Sequence, residues 1–282
     1  MLSPNLPARK AFCRATSGSC CLHTRSFGTS IKHKTLRSFL DSDKTAASTP
    51  PSAYQYSAQL TEPEPIEFKR VREEAIARNP REAQKMISPL QGAFMSHMVS
   101  SQQAITALEL GCYIGYSALW LARGLCKQGE AAHLWTCERD THVAEIARAN
   151  VGSAGYADLI SVIGQPASRV LEDWDMQRKL DLVFIDANKS GYQQYYDLIL
   201  DRELLSDRGQ IIVDNVLFHG QVHALPTLDT KEAASSDDKP SNRRSRIAQT
   251  LANFNIHVAG DPRTSQVLLP VFDGLLLIQR RT

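Results

Sequence analysis

Three oxygen-bearing side chains stand at the ends of two apolar runs. Asp186 closes Leu180–Ile185, and Asp214 with Asn215 closes Gln210–Val213. If these runs are neighbouring strands of one sheet, their ends lie side by side, and two carboxylates and an amide oxygen converge on one rim. Such donors suit a hard cation of the Mg²⁺ type, with water and a bound molecule filling the remaining octahedral positions. The plainer reading stays open: Asp214-Asn215 as turn chemistry and Asp186 as a helix cap. Lys189, three residues past Asp186, reaches the same rim. Beside a cation a lysine loses basicity and can act as a general base, although an exposed lysine is the commoner outcome. A divalent ion chelated by two adjacent hydroxyls lowers a phenol pKa from near 10 and orients the oxygen. His219 and His223 read as loop residues rather than as ligands.

A second group of residues points to a nucleoside ligand. The segment Leu108–Ser117 reads LELGCYIGYS, with Gly111 where a strand would turn sharply into a helix. A lone G-x-x-x-G is also compatible with close helix–strand packing. Glu138 ends the next strand-like run, where a carboxylate can accept from both ribose hydroxyls. A dinucleotide fingerprint would need a glycine at position 113, but Tyr113 stands there and its side chain would crowd a pyrophosphate. A ligand without phosphates fits better, which favours S-adenosylmethionine over NAD.

These residues need a scaffold that brings strand ends together. Strand-like and helix-like segments alternate from 104 onward: Ala104–Leu110, a helix over Tyr116–Cys126, His133–Cys137, a helix over 141–152, Leu159–Ile163, a helix over 166–173, Leu180–Ile185, a helical stripe of Tyr192, Tyr195, Tyr196 and Ile199, and Gln210–Val213. A helix over 243–259 follows, then Gln266–Leu269 and Gly274–Gln279. Only four residues separate the last two strands, too few for a crossover, so they form an antiparallel hairpin. The expected fold is α/β and Rossmann-like: a doubly wound, mostly parallel seven-stranded sheet closed by a C-terminal hairpin. Upstream, Phe68, Val71, Ala75 and Ile76 mark one helix that Asn79-Pro80 stops. A second spans about 82–100 and carries Met86, Phe94, Met98 and Val99. The polar stretch 223–246 reads as a lid or insertion.

Charge is unevenly placed along the 282 residues. Residues 1–40 have no Asp or Glu but carry Arg9, Lys10, Arg14, Arg25, Lys32, Lys34 and Arg37. Subtracting those seven positive charges from the net +2 leaves about −5 for the rest, which argues against nucleic acid as a partner. A basic, Ser-rich, acid-free N-terminus has the composition of a mitochondrial transit peptide, and Arg25–Ser30 fits an R-x-F-x-x-S processing pattern; a basic tail without an address is the alternative, with a cytoplasmic protein. Residues 1–55 therefore read as a leader and 56–282 as the folded domain. No apolar run is long enough to cross a bilayer. The six cysteines include no C-x-x-C pair and read as free thiols.

With these motifs assembled, LELGCYIGYS, VFIDANK at Val183–Lys189, GQIIVDN at Gly209–Asn215 and DGL at Asp273–Leu275, the chain resembles the caffeoyl-CoA and catechol O-methyltransferase superfamily over about residues 64–281, and looks closest to fungal members. The resemblance implies metal ligation by Asp186, Asp214 and Asn215 and a base role for Lys189. It implies contacts to S-adenosylmethionine from Glu109, Gly111, Tyr113, Ser117, Glu138, Ala167 and Asp186. It implies a small phenolic acceptor, a divalent cation, and a homodimer as in many members. Asn188 departs from it: the plant-type enzymes have Asp there and the catechol enzyme Trp. The function expected is cation-assisted methylation of a vicinal diphenol. A hydroxycinnamoyl-CoA-type thioester acceptor, a non-catalytic S-adenosylmethionine binder and a Rossmann dehydrogenase are the alternatives.

Overall fold

A computed structural model describes residues 52–129, 131–225 and 243–281. The basic leader and most of the polar stretch expected at 223–246 lie outside the described residues. The chain divides at Thr61/Glu62. Of the first part, the described element is helix α1 (Ala53–Leu60), started by a capping box in which Ser52 and Gln55 exchange side-chain-to-backbone bonds.

The second part opens with α2 (Ile66–Arg78), which buries Phe68, Val71 and Ala75. Ile76, expected on the same stripe, faces out. Asn79 is extended before Pro80, so it ends α2 and caps the one-turn α3 (Pro80–Ala83). The helix expected over 82–100 is broken here. Pro89 cannot donate to a preceding turn and holds Ser88 extended, so a new helix α4 (Pro89–Gln102) starts with Ser88 as its cap.

The alternating segments form β1 (Thr106–Leu110), α5 (Tyr116–Leu125), β2 (His133–Cys137), α6 (Thr141–Ser153), β3 (Ile160–Ile163), α7 (Ala167–Glu172), β4 (Leu180–Ile185), α8 (Tyr192–Asp201), β5 (Leu205–Val213), α9 (Arg243–Gly260), β6 (Thr264–Leu269) and β7 (Leu275–Arg280). The seven strands lie in the order β3-β2-β1-β4-β5-β7-β6. The first five are parallel, and β7 runs antiparallel to both β5 and β6. This is the doubly wound sheet with a terminal hairpin that the sequence predicts. Two strands start earlier than expected: β6 at Thr264, and β5 at Leu205, which pairs with Leu180 before a register shift. Exposed Asp207 and Arg208 hide that half from an apolar-run reading.

Side-chain alternation explains why β4 is apolar from Leu182 to Ile185. Val183 and Ile185 pack with Leu108, Leu110, Ile211 and Val213 on one face, while Leu182 and Phe184 pack with Ala107 and Ile212 on the other. Each such side chain contributes about 1.5–3 kcal/mol by burial. Because β1, β4 and β5 are neighbours, their carboxyl ends form one rim. Among the described residues, no helix is long and apolar enough to cross a membrane.

Candidate functional site

A cavity of about 1120 Å³ opens over the carboxyl ends of β1, β2, β4 and β5. Gly111, Tyr113, Ser117, Glu138, Ala167, Asp186, Lys189, Asp214 and Asn215 all line it. Of the residues the sequence singles out as ligand contacts, Glu109 alone does not.

At one end of the cavity the chain leaves β1 through Gly111, whose φ is +92°. A Cβ there would lie 2.6 Å from the carbonyl oxygen of Asp186, so both conformation and space require glycine. Tyr113 donates its backbone N–H to Glu138 Oε2 at 3.1 Å, while Glu138 Oε1 accepts from the N–H of Asp140 at 3.0 Å. The strand-end carboxylate thus also braces the loop after β1 and the start of α6. Lys85 Nζ lies 5.4 Å from the centre of the Tyr113 ring, which places the α3–α4 connection over this loop.

Glu109 is buried beneath the cavity. Leu108 and Leu110 point to one face of β1, so Glu109 points to the other, towards Ser117 and Thr136. Burial pushes its carboxyl up to about 7, against hydrogen bonds from Ser117 and Thr136, and the charges of Asp186 and Glu138 push the same way. Its Oε1 has no hydrogen-bond partner among the described residues.

At the other end, β4 and β5 deliver their oxygens to one point. Lys189 Nζ donates to Asp186 Oδ1 at 2.7 Å, to Asn215 Oδ1 at 2.6 Å and to the Tyr192 hydroxyl at 2.6 Å. Tyr192, fully buried on α8, donates its own O–H to the backbone oxygen of Asp214 at 3.0 Å. Asp214 Oδ1 accepts from the N–H of Asn215 and Oδ2 from Gln91 Nε2, each at 2.7 Å. Burial raises the Asp214 carboxyl above the ordinary carboxylate range, with the negative charge of Asp186 adding to it. Asp186 is raised by burial too, opposed by Lys189 and reinforced by Asp273.

Lys189 pairs with Asp186, while the buried Asp214 takes its bonds from Gln91 and the N–H of Asn215, and with Asp273 close by the rim keeps excess negative charge that a further cation would offset. With the Asn215 amide oxygen, the donors are all hard oxygens, and they fit a divalent ion of the Mg²⁺ type. Among the described residues, no group of three His, Cys, Asp or Glu side chains is arranged for a metal; this set depends on an asparagine. His219 lines the cavity mouth from a turn, its N–H on Asp273 Oδ1, while His223 does not line it.

Asn188 accepts from the Tyr195 hydroxyl at 2.6 Å and donates to Ser190 Oγ at 3.1 Å. Tyr195, which lines the cavity, and Tyr192, buried behind it, read in the sequence only as a helical stripe, and Gln91, also on the lining, carries no local signal beyond being a polar residue on an apolar helix face.

A profile described as O-methyltransferase matches residues 56–281. The chain belongs to the O-methyltransferase family. This O-methyltransferase is 30% identical over 236 residues to caffeoyl-CoA O-methyltransferase 2 of Petunia hybrida, covering 80% of this chain and 89% of that one. It is 37% identical over 139 residues to a catechol O-methyltransferase of Mycobacterium tuberculosis, covering 49% and 60%. Its fold is similar to that of the Podospora anserina methyltransferase PaMTH1, solved with S-adenosylhomocysteine, at a TM-score of 0.69 and 29% identity, covering 84% of this chain and all of that one. The motif resemblance and the family match therefore agree, and the enzyme is a transferase.

Proposed function

We propose that this O-methyltransferase moves the methyl group of S-adenosylmethionine to one hydroxyl of a small vicinal diphenol, assisted by a divalent cation held by Asp186, Asp214 and Asn215. The observation that carries this reading is the convergence of Asp186 and Asn215, from two different strands, within 2.7 Å of one Lys189 nitrogen. The methyl donor is supported by the Gly111–Tyr113 loop, where Tyr113 would crowd a pyrophosphate, and by the likeness to a methyltransferase bound to S-adenosylhomocysteine. In this reading Gly111, Tyr113, Ser117, Glu138 and Ala167 hold the nucleoside, with Asp186 between it and the acceptor, while Glu109 supports the loop from below.

A bound divalent ion would supply Lewis-acid polarisation of two adjacent hydroxyls, lowering a phenol pKa from about 10 towards neutrality. The chain's own residues do the rest. In this reading Lys189, in its neutral form, takes the acceptor hydroxyl proton, and Tyr192 with Asn215 fixes the position of its nitrogen. Residues of the α3–α4 connection, Lys85 to Ile87, wall the cavity and exclude water from the transfer. Holding donor and acceptor in line contributes most of the rate by removing the entropy cost of encounter.

A second reading, a hydroxycinnamoyl-CoA-type thioester as acceptor, is favoured by the cationic residues Lys85, Arg139 and Arg243 on the cavity lining. Purified protein assayed for methyl transfer to catechol, caffeate and caffeoyl-CoA, with Mg²⁺ and with chelator, tests both. Chelator-sensitive methylation of the free diphenols supports the first, and methylation of the thioester alone supports the second. Full activity in chelator would end the cation assignment.

A further inference from the structure

We infer that Gln91 is a positioning residue for the cation site, holding the Asp214 carboxylate in one orientation and thereby setting how tightly the rim binds a divalent ion. This rests on the cation reading above. The Asp214 side chain is 2% exposed as a residue and Gln91 is 5% exposed, so neither has water as a ready substitute partner. Asp214 Oδ1 takes a purely local bond, from the N–H of the next residue. Its Oδ2 is fixed from 123 positions away, by Gln91 Nε2 at 2.7 Å.

The chemistry of the donor matters. Lys189 bonds Asp186 and Asn215, whereas both donors on the Asp214 carboxylate are neutral amides. A neutral donor fixes the orientation of a carboxylate without cancelling the charge that an ion would use. Lysine or arginine at position 91 would compete with the ion instead.

Gln91 is itself held from both sides. Ser88 caps α4 and its hydroxyl accepts the backbone N–H of Gln91 at 3.2 Å. The next residue, Gly92, lies so close to Trp120 that a Cβ would come within 2.4 Å of the indole. The start of α4 is therefore pressed onto α5, and the amide of Gln91 has a fixed origin from which to reach Asp214.

The test is Mn²⁺ binding to the full chain, read by electron paramagnetic resonance, alongside calorimetric binding of S-adenosylhomocysteine without metal. Gln91→Met keeps the length of the side chain and removes the donor. We expect about 10- to 100-fold weaker Mn²⁺ binding, with S-adenosylhomocysteine bound within about twofold of wild type. If Gln91→Met does not fold, Gln91→Asn, which shortens the reach by one methylene, is expected to weaken Mn²⁺ several-fold. Unchanged Mn²⁺ affinity in a folded variant would overturn the role of Gln91, leaving it a packing residue. A wild-type chain that binds no Mn²⁺ would instead overturn the cation reading itself.

Discussion

Gly111 and Asp186 touch: the glycine at the end of β1 sits against the carbonyl of the aspartate at the end of β4, and the N–H of Asp186 donates to Leu110 O at 3.0 Å. The cavity ends proposed for the nucleoside and for the acceptor are therefore joined by backbone. A side chain at position 111 would push the two apart and would force a conformation at φ +92° that other residues rarely adopt. Gly111→Ala is expected to cost about 2–4 kcal/mol in denaturant unfolding and to abolish binding of S-adenosylhomocysteine by calorimetry. Native-like binding would show that the loop has slack.

Glu109 gives a pH dependence with a definite sign. Its carboxyl is raised to about 7 in the folded chain by burial, from an ordinary value near 4.5. The native state therefore keeps a proton that the unfolded chain has lost, and stability falls as pH rises from about 4.5 through 7. The contribution lost is roughly 3 kcal/mol. Glu109→Gln, which keeps the shape and cannot ionise, should flatten the dependence over that window and stabilise the protein at pH 8. Urea unfolding at a series of pH values measures it, and an unchanged slope in the variant would contradict a buried, protonated Glu109.

Tyr192 accepts from Lys189 and donates to the backbone of Asp214, so its hydroxyl links the lysine to the end of β5. Tyr192→Phe should lower kcat about tenfold, roughly 1.4 kcal/mol, while KM for the diphenol and for the methyl donor stays within about threefold. A change confined to KM would mean that Tyr192 serves acceptor binding and not the placing of Lys189.

The cavity was legible from sequence where local pattern and topology say the same thing. Val183, Phe184 and Ile185 form a run buried on both faces, which only a central strand explains, and adjacency of β4 to β5 then brings Asp186 to Asn215. Glu109 is buried and does not line the cavity. It lies in the glycine-loop motif, but the two-residue alternation of β1 turns it away from the side of the sheet lined by Leu108 and Leu110, to a site below the cavity. The break at Ser88-Pro89 was missed because apolar spacing continues across it, although a proline at a first helical position is itself the signal. The bond from Gln91 to Asp214 joins residues 123 apart and has no trace in any local pattern.

The central claim is that Asp186, Asp214 and Asn215 serve one ion. The direct measurement is Mn²⁺ titration of the full chain and of the single variants Asp186→Asn, Asp214→Asn and Asn215→Ala, each checked for fold by circular dichroism. One ion per chain in the wild type, and a loss of affinity of at least about 100-fold in each aspartate variant, is the predicted result. Wild-type affinity in any folded aspartate variant, or two independent weak sites, would contradict it.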